Sequence, residues 1–284
     1  MAQFTNQAQL SYNNATINSN VAVGEILEVL SAAKTAVTET YTQGDTVTYV
    51  ISAVNSGVTP LSDITVSDNL GAYTFGETTL YPLSYVDGSV RLYIDGVLQA
   101  APTVTAGPPL VVSGITIPAN GNMVLIYETT VNAFAPLGED GNIVNIATVA
   151  GNEISTPLVV TETVTPVSVP QLTITKSISP VPVAENGVVT YTFTIRNNGN
   201  APADAAANAT LTDTFLPVLS NLTVQLDGVT LAEGTGYTYA ITEGDFATVP
   251  GVITVPAATY TQDPVSGVWS VTPGVTTLTV SGTI

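Results

Sequence analysis

The 284-residue sequence has no cysteine and no histidine, and its cationic side chains are Lys34, Lys176, Arg91 and Arg196 alone. Without cysteine there is no disulfide, thiol nucleophile or thiolate ligand. Without histidine there is no imidazole ligand and no histidine acid–base catalysis. Four basic residues stand against 22 acidic ones, a formal net charge of −18. That balance argues against nucleic acid or an anionic membrane as partner. No continuous apolar stretch is long enough to span a bilayer, so no membrane insertion is expected. A glycine-rich phosphate loop and catalytically paired carboxylates are also missing. No cofactor, no metal and no enzyme activity on an outside substrate are expected. The N-terminal MAQFTNQAQL lacks the basic and apolar regions of a secretory signal. A mature polypeptide, or assembly in a compartment released later such as a spore surface, would fit that start.

What is abundant is threonine and valine, with 12 tyrosines to 6 phenylalanines and with 23 glycines and 18 prolines spread along the chain. This is the composition of short strands and many turns. In 189–196, Val189, Tyr191, Phe193 and Ile195 alternate with Thr190, Thr192, Thr194 and Arg196. Period-2 alternation is the signature of a half-buried antiparallel strand. Turn signals recur about every ten residues, so an all-β sandwich architecture is expected.

The chain repeats itself. Residues 29–70 resemble residues 171–215: Lys34 stands 15 positions before Tyr49 and Lys176 stands 15 before Tyr191. Asn55, Gly57 and Pro60 match Asn197, Gly199 and Pro202, and Asp68 matches Asp213 after a three-residue insertion. LYIDGV at 92–97 matches VQLDGV at 224–229, an Asp-Gly hairpin turn in each copy. Together with the GD-x-VTY strand, the N-x-G turn, the V-x-D motif and the N-x-A-T-V strand near the end of the first copy, these segments resemble the bacterial surface repeat known as domain of unknown function eleven. The second copy departs from it with Asn186-Gly187 where the first has Gly44-Asp45. The resemblance implies an immunoglobulin-like sandwich in large surface proteins. Expected divisions are an N-terminal segment at 1–26, a first sandwich at 27–164 and a second at 165–284 that lacks closing strands.

Residues 4–23 read like residues 143–160, the hairpin that closes the first copy. Asn6 falls on Asn145, Ala8 on Ala147, Leu10 on Val149, Ile17 on Ile154, Val21 on Leu158 and Val23 on Val160. A loose closing hairpin at one end and an unclosed domain at the other predict donor-strand complementation, with Phe4, Ala8, Leu10, Ile17, Val21 and Val23 entering the second sandwich of an identical subunit. Such a contact is heterologous and gives a head-to-tail homopolymer.

Alternation also aims polar residues inward. Lys34 shares a face with Leu30 and Ala32, Lys176 with Leu172, Ile174 and Ile178, Asp68 with Ile64 and Val66, Asp213 with Leu211, and Asn145 with Ala147 and Val149. An unpaired buried lysine is very unfavourable. One solution is a Lys–Asp ion pair with Asn bonded alongside. Another is a neutral amine beside a protonated acid, poised to attack the Asn carbonyl with loss of ammonia. That arrangement is similar to Gram-positive pilin and adhesin domains, in which a Lys on an early strand joins an Asn on the last strand beside a catalytic Asp or Glu. The resemblance implies an intrachain Lys34–Asn145 cross-link with Asp68 as catalyst. It also implies an interchain Lys176–Asn6 cross-link with Asp213. The plainer alternative is that inward lysines guard sheet edges or snorkel to the rim.

The expected protein is therefore a structural subunit of an extracellular filament, a pilus or appendage at a cell or spore surface. A monomeric adhesin or surface-layer binding module is the alternative. Asp-Gly turns such as Asp95-Gly96 and Asp227-Gly228 could hold calcium, but hairpin turns account for them.

Overall fold

The computed structural model describes residues 2–284. The chain is all-β, in immunoglobulin-like sandwich style, and among the described residues helical structure is limited to a short turn at Ala205–Ala207. No helix is long and apolar enough to cross a membrane among the described residues. Contacts divide the chain into two units, 1–136 with 142–165, and 137–141 with 166–284.

Unit 1 holds two facing sheets. One runs Val97–Leu98, Arg91–Ile94, Asn122–Val131, Thr46–Asn55, Leu30–Ala36; the other runs Thr103–Ala106, Leu110–Ile117, Leu61–Asp68, Ile143–Ala150, Leu158–Pro166, Thr40–Tyr41. Their alternation is the cause of the core. Val47, Tyr49, Ile51 and Ala53 of one strand and Met123, Leu125 and Tyr127 of its neighbour point inward. They meet Ile64, Val66, Ile115, Ile117, Ala147 and Val149 from the opposite sheet. Fully burying each such aliphatic side chain is worth about 1.5–3 kcal/mol.

The N-x-G motif ties the strand ends to the loops. Asn55 is fully buried; its amide donates to the Thr59 and Pro118 carbonyls, each at 2.9 Å, and its Oδ1 accepts from Gly57 N at 2.9 Å. Asn197 repeats the arrangement with Ala201 and Pro256 as acceptors and Gln171 N and Gly199 N as donors. A Cβ on Gly199 would lie 2.0 Å from the Val169 carbonyl oxygen, so only glycine permits that approach.

Unit 2 rebuilds the first sheet in the same order: Val229–Thr230, Ser220–Leu226, Gly274–Thr283, Val188–Asn197, Leu172–Ser179. Its facing sheet is shorter, with Thr212–Thr214, Asp245–Thr248 and Tyr237–Ala240. In unit 1 Leu61–Asp68 lies between Leu110–Ile117 and Ile143–Ala150, whereas in unit 2 Thr212–Thr214 pairs on one side only among the described residues.

Residues 2–26 form their own hairpin, Ala2–Asn6 on Ala22–Ile26 and Gln9–Tyr12 on Ala15–Asn18. Asn13 and Asn14 turn it, both with positive φ, the conformation Asn tolerates best after glycine. Here the sequence alignment needs correction. Leu10 pairs with Ile17 as Val149 pairs with Leu158, so Ile17 corresponds to Leu158 rather than to Ile154. The register then shifts by one residue at 19–21, because Asn6 pairs with Ala22 and Gln9 with Asn18. Such a slip reverses the faces of the return strand. Val23 consequently lies opposite Thr5, away from the face of Phe4, Asn6 and Leu10, and is not an equivalent of Val160.

Candidate cross-linking site

The site in unit 1 spans the two sheets. Lys34 comes from Leu30–Ala36 on one sheet; Asp68 and Asn145 come from adjacent strands of the other, with Ala147 paired opposite Asp68. The relative exposures of Lys34, Asp68 and Asn145 are 5%, 1% and 0%. Lys34 Nζ lies 2.5 Å from Asp68 Oδ2 and 4.8 Å from the Tyr49 ring centroid.

The turn after Asp68 fixes its carboxyl. Leu70 N donates to Asp68 Oδ1 at 2.9 Å, and Gly71 N donates to both Asn69 Oδ1 (3.0 Å) and Asn145 Oδ1 (3.2 Å). Asn69 Oδ1 also accepts from Ile146 N at 2.9 Å, which clamps the asparagine strand to this turn. Leu70 and Gly71 both have positive φ, and a Cβ on Gly71 would lie 2.5 Å from Ile143 Cγ2. The Asn145 carbonyl thus receives a backbone donor, while its Nδ2 is buried without a hydrogen-bond partner. This differs from an Asn bonded alongside the ion pair: no hydrogen bond joins Asn145 to Lys34 or Asp68. The gap follows from the register, which places Asn145 two residues beyond the Ala147–Asp68 pair.

Two tyrosines complete the site, and neither was singled out from the sequence. Tyr49 and Tyr127 stack at 5.7 Å, and the Tyr127 hydroxyl donates to Asp68 Oδ2 at 2.5 Å. Inward alternation of Met123, Leu125 and Tyr127 in NMVLIYETTV was the available signal. Burial lowers the Lys34 pKa to about 8, overriding the attraction and hydrogen bond of Asp68 and the more distant pull of Glu162. Burial likewise raises Tyr49, against the opposing effect of the nearby Asn145 amide, and raises Tyr127 well above its ordinary value. Chemically, this is an amine whose pKa burial lowers to about 8, a carboxyl in direct contact with it, and a buried amide whose carbonyl accepts a backbone hydrogen bond.

Unit 2 repeats part of this. Lys176 contacts Asp213 Oδ2 and sits over the Tyr191, Phe193 and Phe215 rings at 4.8, 5.4 and 5.6 Å. Its side chain is 42% exposed, however, rather than buried as the alternation pattern predicts. The reason lies in the neighbouring strands. Leu172, Ile174 and Ile178 face the same way and are 43%, 55% and 43% exposed, since among the described residues no strand covers them. An open groove of about 360 Å3 runs between Leu172–Ile174 and Ala209–Thr212, with Ile195 and Ile253 at its base. Phe4, Leu10, Ile17, Val21 and Val23 of the N-terminal hairpin are each more than half exposed, and Asn6 and Ala8 are exposed with them.

No family model and no curated protein matches the chain, so the repeat resemblance stands on its quoted motifs. Among solved structures, the pilus backbone of Streptococcus pneumoniae is similar over 86% of this chain and 55% of that one, at 12% identity and TM-score 0.35. The major pilin subunit of Bacillus cereus matches over 87% and 74%, at 12% identity and TM-score 0.39. The collagen-binding subdomain of the Enterococcus faecalis surface protein ACE matches over 50% and 99%, at 10% identity and TM-score 0.31. The chain therefore spans about half the length of the pneumococcal protein.

Proposed function

We propose that the chain is a structural subunit of an extracellular filament, at a cell or spore surface, in which the N-terminal hairpin of one copy completes unit 2 of the next. The observation that carries this reading is the one-sided pairing of Thr212–Thr214 beside an uncovered lysine strand, at the place where unit 1 holds Ile143–Ala150. Transferring the unit 1 register puts Ala8 opposite Asp213 and Leu10 opposite Leu211. Asn6 then stands to Lys176 and Asp213 as Asn145 stands to Lys34 and Asp68.

The face carrying Phe4, Ala8, Leu10 and Ile17 fits this groove; Val21 and Val23 face outward from it. Each exposed apolar side chain on the two surfaces is about half buried already, so completing its burial adds about 1 kcal/mol. Phe4, Leu10 and Ile17 with Leu172, Ile174 and Ile178 then contribute about 6 kcal/mol, beside the backbone hydrogen bonds of an added strand.

In both units the neutral lysine Nζ attacks the asparagine Cγ. A C–N bond forms, the Cγ–Nδ2 bond breaks, and Nδ2 leaves as ammonia with the proton that the aspartate took from the amine. The Lys34–Asn145 bond closes unit 1, and the Lys176–Asn6 bond welds adjacent copies.

The experiment compares the full chain with a variant deleted for residues 1–23 by negative-stain imaging, boiled-detergent gels and intact mass. Strings that survive boiling, mass loss of one ammonia per bond, and monomers on deletion are expected. A compact monomer from the full chain, whether an adhesin module or a hairpin folded back on its own copy, would sink the filament reading.

A further inference from the structure

The structure assigns a positioning role to Tyr127: its hydroxyl holds the Asp68 carboxyl in the orientation that the Lys34–Asn145 reaction needs, so unit 1 can close without help. This rests on the cross-linking reading above. Asp68 has two oxygens with distinct partners. Oδ1 is fixed by Leu70 N, and Oδ2 receives both Lys34 Nζ and the Tyr127 hydroxyl. The oxygen that takes the proton from the amine is thus also the one Tyr127 grips.

Three comparisons on the molecule separate this role from packing. Tyr49 is as deeply buried as Tyr127 and stacks on it, yet its hydroxyl makes no hydrogen bond to Asp68. In unit 2, Tyr191 pairs with Val280 as Tyr49 pairs with Tyr127, so Val280 occupies the equivalent position and offers Asp213 no hydroxyl. Lys176 and Asp213 are also open to solvent where Lys34 and Asp68 are sealed. Unit 1 is built to react within one chain; unit 2 lacks the same grip. Overall, R–NH2 and R′–CONH2 give R′–CONH–R and NH3. Tyr127 returns unchanged, because it orients the carboxyl that carries the proton from Nζ to the departing Nδ2.

The test refolds the full-length chain from guanidinium in unreacted form and follows the Lys34–Asn145 cross-linked peptide by mass spectrometry over time. Tyr127→Phe keeps the ring and removes the hydroxyl, and slowing by at least about tenfold is expected, since small misplacements of a reacting group carry penalties of that order or more. Tyr41→Phe, which removes a buried hydroxyl bonded to the Pro136 carbonyl outside the site, should react at the wild-type rate. The pH–rate profile should change in Tyr127→Phe alone, because that variant removes a donor from the oxygen that Lys34 Nζ also contacts. Besides Tyr127, the titratable groups around Asp68 are Lys34 and Tyr49, with Glu162 acting on both of these, and all three are unchanged in the two variants. Equal rates and profiles for wild type and Tyr127→Phe, or equal slowing by Tyr41→Phe, would overturn the assignment. A wild-type chain that folds and never forms the peptide would instead overturn the cross-linking reading, and this role with it.

Discussion

Replacing Asn145 by Ala would remove the proposed cross-link while leaving the Lys34–Asp68 pair in place, and its cost can be worked from the structure. The bond between Lys34 and Asn145 would close a loop of 111 residues. Loop-closure entropy for that length is about 16 cal/mol/K, or about 5 kcal/mol at room temperature. Losing the acceptor for Gly71 N adds about 1 kcal/mol. The unit 1 sandwich comprises residues 30–136 and 142–165, 131 residues. At roughly 2.1 cal/mol/K per residue its unfolding entropy is about 0.28 kcal/mol/K. The variant should therefore melt roughly 20 °C below wild type in the unit 1 transition. Differential scanning calorimetry resolves this, with the unit 2 transition as internal reference. The reasoning fails if wild type carries the ammonia-loss mass and Asn145→Ala still melts within about 5 °C of it, since a bond that spans the fold must restrict the unfolded chain.

The same variant has a distinct pH dependence. Its free Lys34 holds a pKa of about 8 when folded, below its unfolded value, so the unfolded state binds more protons between about pH 8 and 10. Stability of Asn145→Ala should rise through that window by about 2–3 kcal/mol, whereas the cross-linked chain, with an amide in place of the amine, lacks this rise. Above pH 10 the buried Tyr41, Tyr49 and Tyr127 resist ionisation, the unfolded state loses protons first, and the slope reverses; urea unfolding at fixed pH values reads both signs. Asn55→Ala should destabilise unit 1 by about 2–3 kcal/mol in the same assay, because Gly57 N and the Thr59 and Pro118 carbonyls lose their partner together.

The lysine, aspartate and asparagine faces of unit 1 were legible because period-2 alternation in short strands leaves little choice of side. The spacing of Lys34, Tyr49 and Asn55 in the first copy, repeated in the second, exposed the shared sheet for the same reason. Tyr127 was less visible: its strand reads as core, and its hydroxyl matters only through Asp68, 59 positions away. The exposure of Lys176 was hidden because alternation gives the side of a strand, not whether another strand covers it. Ile17, Val21 and Val23 were misaligned for two reasons. The Asn13-Asn14 turn is tighter than the 151–157 loop that it was aligned with, and a one-residue shift at 19–21 then exchanges the faces.

The sheet-spanning position of Lys34 has a mechanical consequence. In a polymer joined by both bonds, tension enters a subunit at Asn6, follows the backbone to Lys34, crosses to Asn145 and leaves through Lys176. Residues 35–144 lie off that route and carry no load. The pulled backbone comprises 28 residues from Asn6 to Lys34 and 31 from Asn145 to Lys176. Fully stretched, they span roughly 200 Å, against about 600 Å for the uninterrupted path from Asn6 to Lys176. In such a polymer one side chain would set the breaking extension by taking most of the first sandwich out of the line of force.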